Sequence, residues 1–160
     1  MIRAAVLTIS DSSFAGQRAD ASGPAVKSRL EQLGWDVAIT ETLPDEQDQI
    51  SARLRTLAAF GEIQVVITTG GTGIAARDVT PEATREVLDR EIPGLAERIR
   101  AEGCRKTPMA ALSRAVAGIA GKSLIINLPG SPRAAVESLD AIVELVPHML
   151  ELLAGRTSHG

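Results

Sequence analysis

The side chains in this sequence that could do chemistry stand in loops at the ends of apolar runs. Two loop carboxylates stand out: Asp78, shortly after a glycine cluster of Gly70, Gly71 and Gly73 in which Thr72 adds a hydroxyl, and Asp45, in the separate Pro44-Asp45-Glu46 loop. Backbone without Cβ atoms can take left-handed angles and turn successive N–H groups toward one concavity, which suits phosphate oxygens. Ser131-Pro132 and Thr80-Pro81 both read as an N-cap followed by a first helical residue, and helix N-termini offer unpaired N–H groups and partial positive charge. Ser10 and Asp11 follow the first apolar run. The only histidines are His148 and His159, so a Ser-His-Asp triad lacks a placed base. Glycine loops, hydroxyls, scattered Lys and Arg, and a pair of loop acids are the parts needed for phosphoryl or nucleotidyl transfer with Mg²⁺, a cation that takes oxygen ligands and keeps waters.

Each of these features also has an ordinary structural reading. The glycines could simply make a tight strand-to-helix turn, Asp78 could be a turn aspartate, and Asp45 reads well as the N-cap of the following helix. Ser10 to Ser13 could be a hydrogen-bonded turn. A Walker-type loop is excluded because no Gly-Lys-Ser/Thr follows, and the dinucleotide fingerprint lacks its third glycine.

The elements that must hold these loops follow from periodicity. Ala4–Ile9 and Val65–Thr69 are apolar and rich in β-branched residues without polar alternation, as expected of strands buried on both faces of a parallel sheet. Trp35–Leu43 alternates in part and reads as a strand near an edge. Helices are predicted from Ser22-Gly23-Pro24 to Gly34, with Val26, Leu30 and Leu33 inward, and from Pro44-Asp45-Glu46 onward, with Ile50, Leu54, Leu57 and Ala58 inward. The β-α-β-α-β order requires right-handed crossovers. After the Thr80 helix, Ile92-Pro93-Gly94 breaks the chain and Leu95–Ala101 resumes as a short helix. Arg105-Lys106-Thr107-Pro108 is a small basic segment, followed by Ala110-Ala111-Leu112-Ser113-Arg114, that could face an anion or form a solvated turn. Ala115–Ala120 and Ser123–Asn127, separated by Gly121-Lys122, read as a hairpin adding an antiparallel strand. The last helix turns Val136, Leu139, Ile142, Val143 and Val146 to the core, with Pro147 forcing a kink or restart.

Composition sets the outer limits. A chain of 160 residues, 44% hydrophobic and 23% charged, is expected to form one domain over residues 1–155, with 156–160 a frayed tail. Two Phe, one Trp and no Tyr leave few base-stacking platforms, and a net charge of −3 argues against general nucleic-acid binding. A single cysteine, Cys104, rules out an intramolecular disulfide and points to a reducing compartment. No long apolar segment suggests a secretory leader or membrane span, so a cytoplasmic location is expected.

Four motifs carry a resemblance. TTGGTG (Thr68–Gly73), RDVTPEA (Arg77–Ala83), LSR (Leu112–Arg114) and NLPGSP (Asn127–Pro132), with the Ser10-Asp11 strand end and Pro44-Asp45-Glu46, resemble the molybdopterin adenylyltransferase family, which includes MogA, MoaB and the G domains of gephyrin and plant Cnx. The resemblance covers nearly the whole chain. It implies a three-layer α/β/α fold with a mostly parallel sheet, usually a homotrimer. It also implies transfer of AMP from Mg-ATP to the terminal phosphate of molybdopterin, with the product passed to a molybdate-inserting enzyme of the MoeA kind. By position, Asp45 and Asp78 would support Mg²⁺ and catalysis, and Gly70, Gly71, Thr72 and Gly73 would cradle nucleotide phosphates. Ser10 and Asp11 would line the cleft, while Ser113, Pro129, Gly130 and Ser131 would help hold pterin phosphate or nucleotide. Two alternatives remain open: a catalytically idle MoaB-like scaffold, and a nucleotide hydrolase like the CinA family. Thr72 stands where that family has leucine, and no second aspartate follows Asp78.

Overall fold

The computed structural model describes residues 1–157. Its centre is a six-stranded sheet in the order β2-β1-β3-β6-β5-β4, built from β1 (Arg3–Ile9), β2 (Asp36–Leu43), β3 (Val65–Thr69), β4 (Arg90–Glu91), β5 (Ala117–Ala120) and β6 (Ser123–Leu128). β2, β1, β3 and β6 are mutually parallel, while β5 runs antiparallel to both β6 and β4. Among the described residues seven α-helices surround the sheet: α1 (Asp11–Phe14), α2 (Ser22–Gln32), α3 (Gln47–Ala59), α4 (Thr80–Val87), α5 (Pro93–Cys104), α6 (Pro132–Ile142) and α7 (Val146–Leu153).

The three layers follow from strand alternation. On β1, Ala4 and Val6 face the helix layer carrying Val26 and Leu30 of α2, Leu95 and Ile99 of α5, and Leu139 and Ile142 of α6. Ala5, Leu7 and Ile9 face the opposite layer, where Ile50, Leu54 and Leu57 of α3 and Ala83 of α4 pack. β3 and β6 divide in the same way, Val65, Ile67, Leu124, Ile126 and Leu128 to one side and Val66 and Ile125 to the other. Each fully buried Leu or Ile contributes roughly 1.5–3 kcal/mol, and with so few aromatics the core is aliphatic.

The predicted elements stand with local corrections. β2 is an edge strand of alternating exposure, as its pattern implied. β4, only two residues long and polar, has no pattern signal in the sequence; it forms because Arg90 and Glu91 meet Ile119 and Gly118. Leu33 is exposed at the C-terminus of α2, beyond the last turn that faces the sheet. Helix α5 starts at Pro93 and runs to Cys104, longer than Leu95–Ala101 at both ends. The last helix breaks into α6, a 3-10 turn at Val143–Leu145 and α7, with Pro147 in the first turn of the restart. Its buried positions are Ala135, Ser138, Leu139, Ile142, Val146 and Leu150, so Val136 and Val143 sit at the core's margin. The segment Arg105–Arg114 forms a turn and a 3-10 helix at Pro108–Leu112. His159 and most of the tail expected to fray lie outside the described residues. No described helix is long and apolar enough to cross a membrane.

Candidate active site

The chain leaves β1 outward to β2 and returns to β3 on the other side of β1, so the strand order reverses between β1 and β3. A crevice opens at the carboxyl ends of strands at such a reversal. Here the ends of β1 (Ser10), β2 (Asp45), β3 (Gly70) and β6 (Pro129) meet. Two adjoining clefts form: one of about 410 Å³ touching Ser10, Asp45, Gly70, Gly71, Asp78, Gly130 and Ser131, the other of about 460 Å³ touching Gly71, Thr72, Gly73, Asp78, Ser113, Pro129 and Gly130. Gly71, Asp78 and Gly130 line both and form the boundary between them.

The glycine loop is compressed between its neighbours. Gly70 has φ +95° and Gly71 φ +70°, the left-handed region. A Cβ on Gly70 would strike the Ile9 carbonyl; one on Gly71 would strike the Thr80 hydroxyl and stand 3.0 Å from Asp45 Oδ1. Both glycines are therefore required by close approach as well as by backbone angle. The Gly70 N–H donates to the Leu128 carbonyl at 3.0 Å, tying the ends of β3 and β6 together. Thr80 is not the cap expected of it. Helix α4 begins at Thr80 with Val79 as its cap residue, and the Thr80 hydroxyl instead donates to the Gly70 carbonyl at 3.0 Å. Ser131 does cap α6, its hydroxyl accepting from Ala134 N–H at 3.2 Å, and so points that N-terminus at the first cleft.

Asp45 is likewise not a cap. Helix α3 starts at Gln47 behind Glu46. The Asp45 carboxylate accepts the Asp11 N–H at 2.9 Å, and the Asp11 carboxylate accepts the Asp45 N–H at 2.9 Å. This reciprocal pair fixes both loops, and a cap assignment failed because the partner lies 34 positions away in sequence. Burial pushes the Asp45 carboxyl above the ordinary carboxylate range, and the nearby charges of Asp11 and Asp78 push the same way. Arg77 grips the Asp11 carboxylate through Nε at 2.8 Å and Nη2 at 3.0 Å, and reaches Glu46 at 2.9 Å. That fork, with the Asp45 N–H, holds Asp11 below its usual range. Asp11 thus stands beside the clefts, its carboxylate committed to Arg77 and the Asp45 loop.

Asp78 is held by its own loop. Its Oδ2 accepts the Ala75 N–H at 3.0 Å, and the space a Cβ of Gly73 would need is occupied by that carboxylate. Ser113 lines the second cleft beside Met109 and Leu112, and its Oγ accepts the Ala115 N–H at 3.3 Å.

Residue reasoning missed several members of the site. Thr8, Thr69, Asp20, Ser22 and Arg18 also line the first cleft. Asp20 accepts from Thr8 at 2.7 Å and from Gly23 N–H at 3.0 Å, and Ser22 shares a buried hydrogen bond of 2.6 Å with Thr69. A polar residue closing each apolar strand was the available signal for Thr8 and Thr69. Arg18, the only Lys or Arg in that lining, sits in an exposed loop with no periodicity to mark it.

Asp78 stands at the boundary of the clefts and Asp45 lines the first, and among the described residues no group of three or more His, Cys, Asp or Glu is placed to hold a metal. That donor set fits a hard cation that keeps waters and takes further oxygens from a phosphate-bearing ligand. A structural zinc site, by contrast, would need a closed set of N and S ligands.

The probable molybdopterin binding domain matches residues 5–148. The molybdenum cofactor synthesis protein cinnamon of Drosophila melanogaster is 44% identical over 154 residues, covering 96% of this chain and 26% of that protein, so the chain spans about a quarter of cinnamon's length. The molybdopterin adenylyltransferase of Helicobacter pylori strain J99 is 40% identical over 156 residues, covering 96% of this chain and 89% of that one. The crystal structure of the molybdopterin biosynthesis enzyme MoaB from Thermus thermophilus superimposes with a TM-score of 0.91 at 52% identity, over 97% of this chain and 98% of that one. By its sequence and its fold, the chain belongs to the probable molybdopterin binding domain family.

Proposed function

We propose that this chain is a molybdopterin adenylyltransferase of molybdenum cofactor biosynthesis, joining AMP from ATP to the terminal phosphate of molybdopterin. One observation carries the reading: two clefts meet at Asp78 between the glycine loop and the Gly130 loop, as a reaction between two bound substrates requires. The name and 86–89% coverage of the bacterial adenylyltransferase relatives, at 37–40% identity, support it.

In the reaction a terminal phosphate oxygen of molybdopterin attacks the α-phosphorus of ATP. The new P–O bond forms as the bond to the β-phosphate oxygen breaks, and the electron pair leaves with pyrophosphate. The nucleophile is already an anion, so no strong base is needed. This suits a site whose lining holds no histidine. What the protein must supply is alignment and a preorganised field. The glycine loop and the N-terminus of α6 present backbone N–H groups, Arg18 adds a side-chain cation, and the Asp11–Asp45 pair sets the angle of the Asp45 carboxylate. Asp45 and Asp78 would hold Mg²⁺. When bound, the ion supplies charge neutralisation to the phosphates.

The same reading takes the protein as a cytoplasmic homotrimer that passes its product to a separate molybdate-inserting enzyme of the MoeA kind. The decisive experiment measures pyrophosphate release from Mg-ATP with and without molybdopterin, for the native chain and Asp78→Asn. Release that needs molybdopterin and falls by roughly 100-fold in the variant is expected. Tight pterin binding without release would instead make the protein a scaffold, and hydrolysis without pterin would make it a nucleotide hydrolase.

A further inference from the structure

The loop that carries Asp78 would be expected to move. It has no helix or strand between Gly73 and Val79, and Ile74 projects into solvent at 71% exposure. Segments of that kind open locally at little cost unless something ties them down. Arg77 ties its middle to Asp11 and Glu46, and Arg114, on the approach to β5, ties its two ends from outside the loop. Its Nε donates to the Gly73 carbonyl at 2.7 Å and its Nη2 to the Asp78 carbonyl at 2.7 Å. Its Nη1 donates to both Glu82 oxygens, at 2.8 and 3.0 Å, and its own N–H donates to the Thr72 carbonyl at 2.8 Å. One guanidinium therefore joins both ends of the loop to each other and to the first turn of α4.

We propose that Arg114 is a positioning residue, a clasp that closes the Gly73–Asp78 loop and thereby sets where the Asp78 carboxylate stands at the junction of the clefts. With the carbonyls of residues 73 and 78 held on one rigid fork, the backbone that carries the Asp78 side chain is held in place. The side chain lies over Gly73, where no Cβ intrudes, and accepts the Ala75 N–H. Lysine cannot replace this arrangement, because its three donors radiate from one nitrogen and cannot span two carbonyls and a carboxylate. Glu82 serves as the counter-ion that orients the guanidinium. The effect of Arg114 on turnover rests on the adenylyltransferase reading; its effect on the loop does not.

Arg114→Lys, Arg114→Ala and Glu82→Gln test the proposal, each followed by thermal melting, by amide hydrogen exchange across residues 72–79, and by kcat and KM for both substrates. Folded Arg114→Lys is expected to exchange the Ala75 and Asp78 amides at least tenfold faster. Its kcat should fall roughly tenfold or more, with smaller changes in KM, since displacement of a reacting group by about 1 Å can cost 100-fold. Millimolar guanidinium should restore part of the kcat of Arg114→Ala, and Glu82→Gln, which keeps both carbonyl bonds, should stay within about threefold of the native rate. Native exchange rates in folded Arg114→Lys, or a lower melting temperature with kcat within twofold, would overturn the clasp. So would failure of both Arg114 variants to fold, which would make the residue structural only. If the native chain releases no pyrophosphate, the adenylyltransferase reading fails while the exchange measurements still decide the clasp.

Discussion

Asp45 shows how one residue can be read correctly for its chemistry and wrongly for its structure. Local sequence offers a helix N-cap; the folded chain gives its carboxylate to Asp11 and leaves it half-buried beside Asp78. A carboxyl whose folded pKa lies above its unfolded value binds more protons folded than unfolded between the two values, so its contribution to stability falls as pH rises through that window. Asp45→Asn, which can still accept from Asp11 N–H, should therefore raise the melting temperature of the ligand-free protein at pH 7. The gain should shrink as pH falls through the raised pKa and vanish below the ordinary carboxylate range, where both side chains are neutral. The same variant should lose turnover. An unchanged or lower melting temperature at pH 7 would show that the ionised carboxylate is not strained there. Asp11 has the opposite sign: its Arg77-held carboxylate stabilises at neutral pH and loses that effect as pH falls through its lowered pKa.

At the scale of elements, β1, β3 and β6 were legible because burial on both faces forces continuous apolar runs, whereas the starts of α3 and α4 lie one residue away from where their cap signals put them. The displacement has a cause. Thr80 and Asp45 have side chains suited to capping, but both are used across the fold, on Gly70 and Asp11. Asn127 is the clearest case of an element joined by a side chain that pattern cannot assign. Buried at 1% exposure, it accepts Val116 N–H at 3.1 Å and donates to Thr68 at 2.9 Å and Thr84 at 3.0 Å. It thus links β6, β3, α4 and the start of β5 behind the glycine loop. Asn127→Ala removes all three partners from groups that water cannot reach, so urea unfolding should show a loss of roughly 3 kcal/mol. A loss under about 1 kcal/mol would mean that water enters and replaces the amide.

At the scale of the whole molecule, the proposed trimer predicts a sedimentation mass about three times the 16.8 kDa of one chain; a mass of one chain at micromolar concentration would reject it. The sequence by itself determined the layer architecture, since alternating apolar strands and amphipathic helices can bury their faces in few ways. It also determined the loops at which chemistry could occur, since glycine clusters and N-cap signals are local. Only the tertiary structure decided which loops face one another. The reversal of strand order beside β1 sets Asp45 near Asp78, though they are far apart in the chain, and brings Gly130 against Gly70. It also assigned Arg77, Arg114 and Thr80 their partners. Hydrogen bonds across tens of residues leave no period in the sequence, because each is set by where the strands end rather than by the residues beside it.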